Sequence, residues 1–200
     1  MWLDNFSLKQ IIEFCMLYVM RHGKTDWNLL YKLQGGVDIP LNDMGRKMAA
    51  EAAEEYKNVH FDICYSSPLI RAHETAKIFL SNRNIPIITD QRIKEMSFGI
   101  YEGAEHVFDH PEWPVYQLFK NPDLYIPPQG AESFEDLFKR VGDFLNSVIK
   151  KELEEKKDIL IVAHGALNSA IITMVKKLAL KDFWSFGIPN CKLIPLGDSI

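Results

Sequence analysis

The chain has 200 residues, 47% hydrophobic and 25% charged, with a net charge of -4. This length suits one domain with a sizeable core, and the acidic balance argues against general binding to nucleic acid or to a membrane surface. No apolar run is long enough to span a bilayer. The three cysteines are widely spaced and form no CxxC pair, so we expect no disulfide framework, no zinc site and a reducing, cytoplasmic location.

Predicted strands and helices alternate along the chain. Short apolar runs, typical of buried strands, lie at 17–20, 61–65, 85–89 and 158–164, with "KLIPL" as a final strand candidate. Predicted helices cover 43–57, Ser67 to about residue 81, Ser133 to about residue 156, and Gly165 to about residue 178. Ser67 would be the N-cap with Pro68 at the first helical position, and Ser133 with Asp136 resembles a capping box. This order predicts an α/β fold, a three-layer α/β/α sandwich with a mainly parallel central sheet.

The segment 104–130 differs in composition from the rest, because it is rich in proline and aromatic residues. We expect an irregular insertion there, with one short helix around 112–120, that lies over a pocket and sets specificity. The chain is therefore divided into an N-terminal extension, 1–15, and a single domain, 16–200, that carries the insertion. Apolar residues of the extension lie at helical spacing and could pack on the domain or on a partner chain, as in a homodimer.

Two histidines and two arginines are predicted to meet at one edge of the sheet. Arg21 and His22 follow the first strand, and His164 ends the strand-like run 158–164. Arg71 falls in the first turn of a helix, where the positive helix N-terminus disfavours a cation unless an anion binds nearby. Ligands of α/β sheets bind at the carboxyl ends of the strands. The sequence therefore predicts a pocket for a phosphate dianion.

The turn "RHGKT" allows two interpretations. Gly23-Lys24-Thr25 matches the end of a nucleotide-binding P-loop, but the position five residues before Gly23, which requires glycine, is Tyr18. In the other interpretation His22 is a nucleophile, because neighbouring cations keep its imidazole neutral and a neutral ring nitrogen can attack phosphorus. Arginines would stabilise the phosphoryl oxygens, and neither a metal nor another cofactor is needed. We favour the nucleophile, with Lys24 incidental to the reaction.

Several segments, in order between about Met16 and Cys191, resemble the histidine phosphatase superfamily, also called the phosphoglycerate mutase-like family. They are "RHGKTDWN", "QGGVDIPLNDMGR", "YSSPLIRAHETA", "EMSFGIYEG" and "VAHG". The resemblance implies that His22 is the phosphorylated nucleophile and that Arg21, Arg71 and His164 bind the phosphoryl group. It also implies a substrate pocket completed by Asn28, Gln34 and the amide of Gly35, with Thr25 nearby.

Glu95 would be the proton donor in this scheme, with Glu102 as the runner-up. The chemistry supports such a role, since an alkoxide leaves poorly unless a carboxylic acid protonates it. Proximity to a phosphate dianion favours the protonated acid.

The resembling family includes phosphatases and mutases, which differ in whether water or a hydroxyl accepts the phosphoryl group. Its mutases carry extra cations for the substrate carboxylate, including an arginine pair in the inserted segment. This chain has no arginine between Arg92 and Arg140, and its insertion is short. We therefore expect a histidine acid-type phosphatase that hydrolyses a small phosphate monoester through a phosphohistidine. A phosphoglycerate mutase and a non-catalytic phosphoryl-binding scaffold are the alternatives.

Overall fold

A five-stranded sheet forms the centre of the computed structural model, which describes residues 15–198. Its strands are β1 (Leu17–Arg21), β2 (Ile63–Ser66), β3 (Ile87–Thr89), β4 (Ile159–Ala163) and β5 (Leu193–Gly197). The strand order is β3-β2-β4-β1-β5. β5 pairs with β1 in antiparallel register and the other pairs are parallel, which confirms the mainly parallel sheet. Of the extension 1–15, only Cys15 lies within the described residues.

Helices follow the parallel strands, as the alternation of the sequence predicts. They are α1 (Asp26–Leu29), α2 (Asp43–Glu55), α3 (Ile70–Phe79), α4 (Pro114–Lys120), α5 (Phe134–Phe144), α6 (Lys150–Glu154) and α7 (Gly165–Val175). A π-helical turn, Leu145–Ile149, joins α5 to α6. No helix within residues 15–198 is both long and apolar enough to cross a membrane.

Alternate side chains of the strands face two separate cores. On one face, Met20, Cys64 and Leu160 pack with alanines and phenylalanines of α2 and α3. On the other face, Val19 and Ile161 pack with apolar side chains of α5 and α7. Every residue of β4 is buried, as expected for a strand covered on both faces. The helices therefore form two layers around the sheet, and the three-layer sandwich is confirmed.

The helix predicted from Ser67 begins instead at Ile70, so the expected N-cap is wrong. The Oγ of Ser67 lies 2.7 Å from Nε2 of His164, and the N-cap position is taken by Leu69, which makes no side-chain cap. A tertiary contact replaces the cap, because the Ile70 amide donates to Oδ1 of Asp38 at 2.7 Å. Ser133, in contrast, is an N-cap as predicted and accepts from the amide of Asp136 at 3.0 Å.

The segment 104–130 contains α4, close to the short helix predicted there, between two single 3-10 turns. Val115 and Leu118 of α4 are completely buried. Nε1 of Trp184 donates to the carbonyl of Leu118 at 2.7 Å, and its ring stacks on Phe119 with centroids 5.3 Å apart. These contacts fix the insertion to the domain.

Candidate active site

Parallel pairing brings the ends of β1, β4 and β2 to one edge of the sheet. Arg21, at the end of β1, pairs with Ala163, at the end of β4. The amide of His22 donates to the carbonyl of Ala163 at 3.0 Å, which continues the ladder by one residue. The rings of His22 and His164 then lie with centroids 5.2 Å apart. The structure thus brings together the residues that the sequence places at three separate strand ends.

His22 is buried, and its hydrogen bonds define which ring nitrogen carries the proton. Nδ1 lies 2.7 Å from the carbonyl of Gly23, and because a carbonyl only accepts, Nδ1 carries the proton. Nε2 accepts from Nε of Arg71 at 3.3 Å. Burial, then the charges of Arg71 and Arg21, hold the pKa of His22 well below its ordinary value. The imidazole is therefore neutral, with its lone pair on Nε2.

The guanidinium of Arg71 is completely buried and is held by carbonyl groups. Nη1 donates to Val37 at 2.7 Å, and Nη2 donates to Gly35 at 2.8 Å. Burial lowers the pKa of Arg71 to about 10, so the group stays charged at neutral pH. Because its hydrogen-bond acceptors in the described chain are neutral, the positive charge remains available to a bound anion.

Arg21 and Glu95 lie together against Gly165, the first residue of α7. A β-carbon at Gly165 would lie 3.7 Å from Cζ of Arg21 and 3.7 Å from Oε2 of Glu95. The carboxylate of Glu95 accepts from the amides of Met96, at 2.9 Å, and of Ala166 and Leu167, at 3.2 and 3.0 Å. The last two donors belong to the N-terminus of α7, so this helix positions the carboxylate. Nη1 of Arg21 donates to Ile188 at 3.2 Å, whereas its buried Nε has no partner within residues 15–198.

His164 lies behind His22 as the N-cap residue of α7 and is completely buried. Burial, then the charge of Arg71, hold the pKa of His164 well below its ordinary value. Its Nδ1 has no hydrogen-bond partner in the described part of the chain. When the Ser67 hydroxyl donates to Nε2, the ring proton lies on Nδ1, which is then free to donate.

A cavity of about 250 Å³ joins most of these side chains. Among the predicted site residues its walls contain Arg21, His22, Asn28, Gln34, Gly35, Arg71 and Glu95. Thr25 and His164 do not line it. Thr25 is completely buried and caps α1, where its Oγ1 accepts from the Asn28 amide at 3.2 Å. Thr25 therefore stabilises the loop between β1 and α1 rather than contacting the cavity.

Glu102 also lies outside this cavity and instead ties two loops together. Its Oε1 accepts from the amide of Gly36 at 2.9 Å, the amide of Phe98 at 3.1 Å and the hydroxyl of Ser97 at 3.2 Å. Gly35 has a φ of +52° and is so close that a β-carbon there would collide with this oxygen. Of the two candidate acids, Glu95 is the one that faces the cavity.

A second cavity, of about 690 Å³, opens beside the first and shares Arg21, Asn28, Lys32, Leu33 and Phe119 with it. We refer to the smaller one as the phosphoryl cavity and to the larger one as the outer cavity. Of the aromatic residues in the segment 104–130, Phe108 and Phe119 line the outer cavity. Trp113 and Tyr125 line neither cavity and pack against the core, as Phe119 also does.

Three residues near the cavities were missed by the sequence interpretation. Ser67 contacts His164 rather than capping a helix, and Nδ2 of Asn190 donates to the carbonyl of His22 at 2.6 Å. Lys24 lies in the wall of the outer cavity. The sequence around Asn190 contains no pattern that points to this contact, because the contact spans most of the chain.

The profile of the Histidine phosphatase superfamily (branch 1) matches residues 17–197. Phosphoserine phosphatase 1 of Hydrogenobacter thermophilus is 31% identical over 177 residues, 87% of this chain and 82% of that protein. A 2,3-bisphosphoglycerate-dependent phosphoglycerate mutase of Cytophaga hutchinsonii is 32% identical over 171 residues, 84% of this chain and 80% of that protein. The solved structure of Bacillus stearothermophilus YhfR superposes with a TM-score of 0.81 at 30% identity, covering 90% of both chains.

Proposed function

Because this chain belongs to the histidine phosphatase superfamily, we propose that it hydrolyses a small phosphate monoester through a phosphohistidine on His22. The observation that carries the proposal is the state of His22. Its imidazole is neutral, its proton is held on Nδ1 by Gly23, and it lines a cavity together with the half-buried Arg21 and the buried Arg71. These features suit a nitrogen that attacks phosphorus, and the proposed reaction uses neither a metal nor a cofactor.

In the proposed first step, Nε2 of His22 forms a bond to phosphorus while the bond from phosphorus to the ester oxygen breaks. Glu95 gives its proton to the departing oxygen, so an alcohol leaves. Arg21 and Arg71 stabilise the charge on the phosphoryl oxygens. In the second step, water attacks phosphorus and gives a proton to Glu95, and the bond to Nε2 breaks. Phosphate leaves, and both side chains return to their starting states.

A phosphoglycerate mutase is the second candidate, since relatives of this chain carry that name. It would use the same phosphohistidine and return the phosphoryl group to a hydroxyl. The absence of arginine between Arg92 and Arg140 supports hydrolysis, because it removes the arginine pair that the mutase resemblance requires. Hydrolysis is therefore the first choice.

Hydrolysis of p-nitrophenyl phosphate by the wild type and by His22→Ala tests this proposal. We expect the substitution to lower kcat by about a thousandfold or more, because the nucleophile is lost. His73→Ala is the matched control, since His73 is a half-buried histidine of α3 that lines neither cavity. Activity that survives in His22→Ala would refute the mechanism.

Phosphorus NMR of a reaction with 3-phosphoglycerate separates the two candidates. Release of inorganic phosphate supports the hydrolase, whereas accumulation of 2-phosphoglycerate without phosphate release would establish the mutase. Quenching during turnover should also trap a protein-bound phosphate that is labile in acid and stable in alkali, and that is missing in His22→Ala.

A further inference from the structure

The outer cavity is where the alcohol portion of the substrate must lie if the proposed function is correct. A phosphoryl group on Nε2 of His22 occupies the phosphoryl cavity, and the two cavities share walls. The residues that line the outer cavity therefore determine which phosphate esters are substrates. Its volume of about 690 Å³ is within the usual range for small-molecule sites.

Among the cations in the wall of the outer cavity, Lys24 differs from the others in having no hydrogen-bond or carboxylate partner for its side chain among residues 15–198. Arg21 also lines the phosphoryl cavity and is engaged with Ile188. Lys32 forms an ion pair with Glu105 at 3.2 Å. Within residues 15–198, no carboxylate oxygen lies within 4.0 Å of Nζ of Lys24. Lys24 is a half-buried residue, and no described carboxylate competes with a ligand for its ammonium group.

The backbone of Lys24 is fixed by the start of α2. Its carbonyl accepts from the amide of Asn42 at 3.1 Å. Gly45 packs so closely on Lys24 that a β-carbon at Gly45 would collide with the Lys24 carbonyl oxygen. Since His22 is held on the same short loop, the Lys24 side chain starts from a fixed place relative to the reacting nitrogen. A side chain on a fixed backbone can discriminate between ligands of different shape and charge.

We propose that Lys24 is a specificity-determining residue that binds a carboxylate on the alcohol portion of the substrate. Asp109, an exposed residue, also lines the outer cavity, and its carboxylate has no cation within 4.0 Å in the described residues. The single ammonium group of Lys24 balances the one negative charge of a carboxylate, whereas a second phosphate dianion would leave one negative charge unbalanced in the same cavity as Asp109. The preferred substrates are therefore phosphate esters of hydroxy acids or of hydroxy amino acids rather than bisphosphates.

Two pairs of esters test this assignment. O-phosphoserine and O-phosphoethanolamine differ by a carboxylate, and fructose 1,6-bisphosphate and fructose 6-phosphate differ by a second phosphate. The measured quantity is the ratio of kcat/KM within each pair, for the wild type, Lys24→Met and Lys24→Arg. Lys181→Met is the matched control, because Lys181 is an exposed lysine that lines neither cavity and has no ion pair among the described residues.

We expect Lys24→Met to lower the phosphoserine-to-phosphoethanolamine ratio by about tenfold or more, since a charge-assisted hydrogen bond is lost. The change should lie mainly in KM, because the carboxylate is remote from the reacting phosphorus. Lys24→Arg should retain most of the ratio, and Lys181→Met should retain all of it. The ratio for the fructose pair should change less.

An unchanged phosphoserine ratio in Lys24→Met would overturn the assignment, as would a wild type that does not prefer the carboxylate. A larger change for the fructose pair would show that a second phosphate is the ligand. The dissociation constants of the same four esters, measured by calorimetry with His22→Ala and His22→Ala/Lys24→Met, give the same ratios without turnover. If the wild type hydrolyses none of the esters and traps no phosphohistidine, the proposed function fails, while these affinities still test Lys24.

Discussion

Substituting glutamine for Glu95, and separately for Glu102, distinguishes the proton donor from a structural carboxylate. In Glu95→Gln the retained oxygen can still accept from Met96 and Leu167, but the new amide group faces the N–H of Ala166. One hydrogen bond is lost, so the free energy of unfolding should fall by only about 1 kcal/mol. The amide cannot deliver a proton to an alkoxide, and kcat for an alkyl phosphate should fall by about 100-fold to 10,000-fold.

The effect should depend on the leaving group. p-Nitrophenolate is a stable anion that departs with little protonation, so kcat for p-nitrophenyl phosphate should fall much less in Glu95→Gln than kcat for an alkyl phosphate. The assay is steady-state phosphate release from both esters over a range of pH. Circular dichroism and urea unfolding check that the variant is folded.

Glu102→Gln is the matched control, because it makes the same chemical change outside the phosphoryl cavity. Its remaining oxygen can accept from Gly36, Phe98 and Ser97, although these bonds lose their charge assistance. We expect a loss of about 1 kcal/mol in the free energy of unfolding and no dependence of the activity loss on the leaving group. Equal activity losses in the two variants, or a loss in Glu95→Gln that is the same for both esters, would refute the assignment of Glu95.

Three further predictions concern the groups around His22. Because His22 and His164 have lowered pKa values, only the unfolded chain takes up their protons between pH 6.5 and 5. The free energy of unfolding should therefore fall as pH drops below about 6.5, by up to about 1.4 kcal/mol per pH unit for each histidine. Urea unfolding of His164→Gln should show about half of this slope between pH 6.5 and 5, and an unchanged slope would contradict the linkage. Gly45→Ala should lower the free energy of unfolding by about 1–3 kcal/mol, because the added β-carbon collides with the Lys24 carbonyl even though alanine normally favours a helix. A stabilised variant would show that α2 can shift to relieve this collision. Arg71→Lys should lower kcat/KM by about 100-fold, because one ammonium group cannot reach Val37, Gly35 and the phosphoryl group together. Near-normal turnover would mean that a positive charge alone is enough to stabilise the phosphoryl group.

The parts of the site that follow from parallel strand pairing could be predicted from the sequence. A run of apolar residues that stops at Arg21-His22, and another that stops at His164, become neighbours as soon as both strands join one sheet in the same direction. Arg71 was predictable for a related reason, since a cation in the first turn of a helix needs a compensating anion. These inferences use only local patterns and one rule of topology.

The roles of Ser67 and Lys24 could not be predicted in the same way. The local preference of serine and proline for a helix start is real, but a hydrogen bond to His164, 97 residues away, claims the Ser67 hydroxyl. Lys24 looked incidental because its neighbours in sequence give it no role. Only the folded chain shows that it lines the outer cavity and has no described carboxylate near it. Propensity describes a residue's own backbone, whereas these roles depend on which distant group comes to lie beside it.

The arrangement of charges around His22 explains why the neutral imidazole occurs together with Arg21 and Arg71. The acceptors of Arg71 are two carbonyls and the neutral Nε2 of His22, and the hydrogen bond that Arg21 makes in the described chain goes to a carbonyl. Carboxylates in those places would neutralise the cations and raise the pKa of His22, which would protonate Nε2 and remove the nucleophile. Carbonyls satisfy the guanidinium donors without cancelling their charge. The same positive charge therefore helps to keep the imidazole unprotonated in the free protein and attracts the phosphoryl group that the imidazole is proposed to attack.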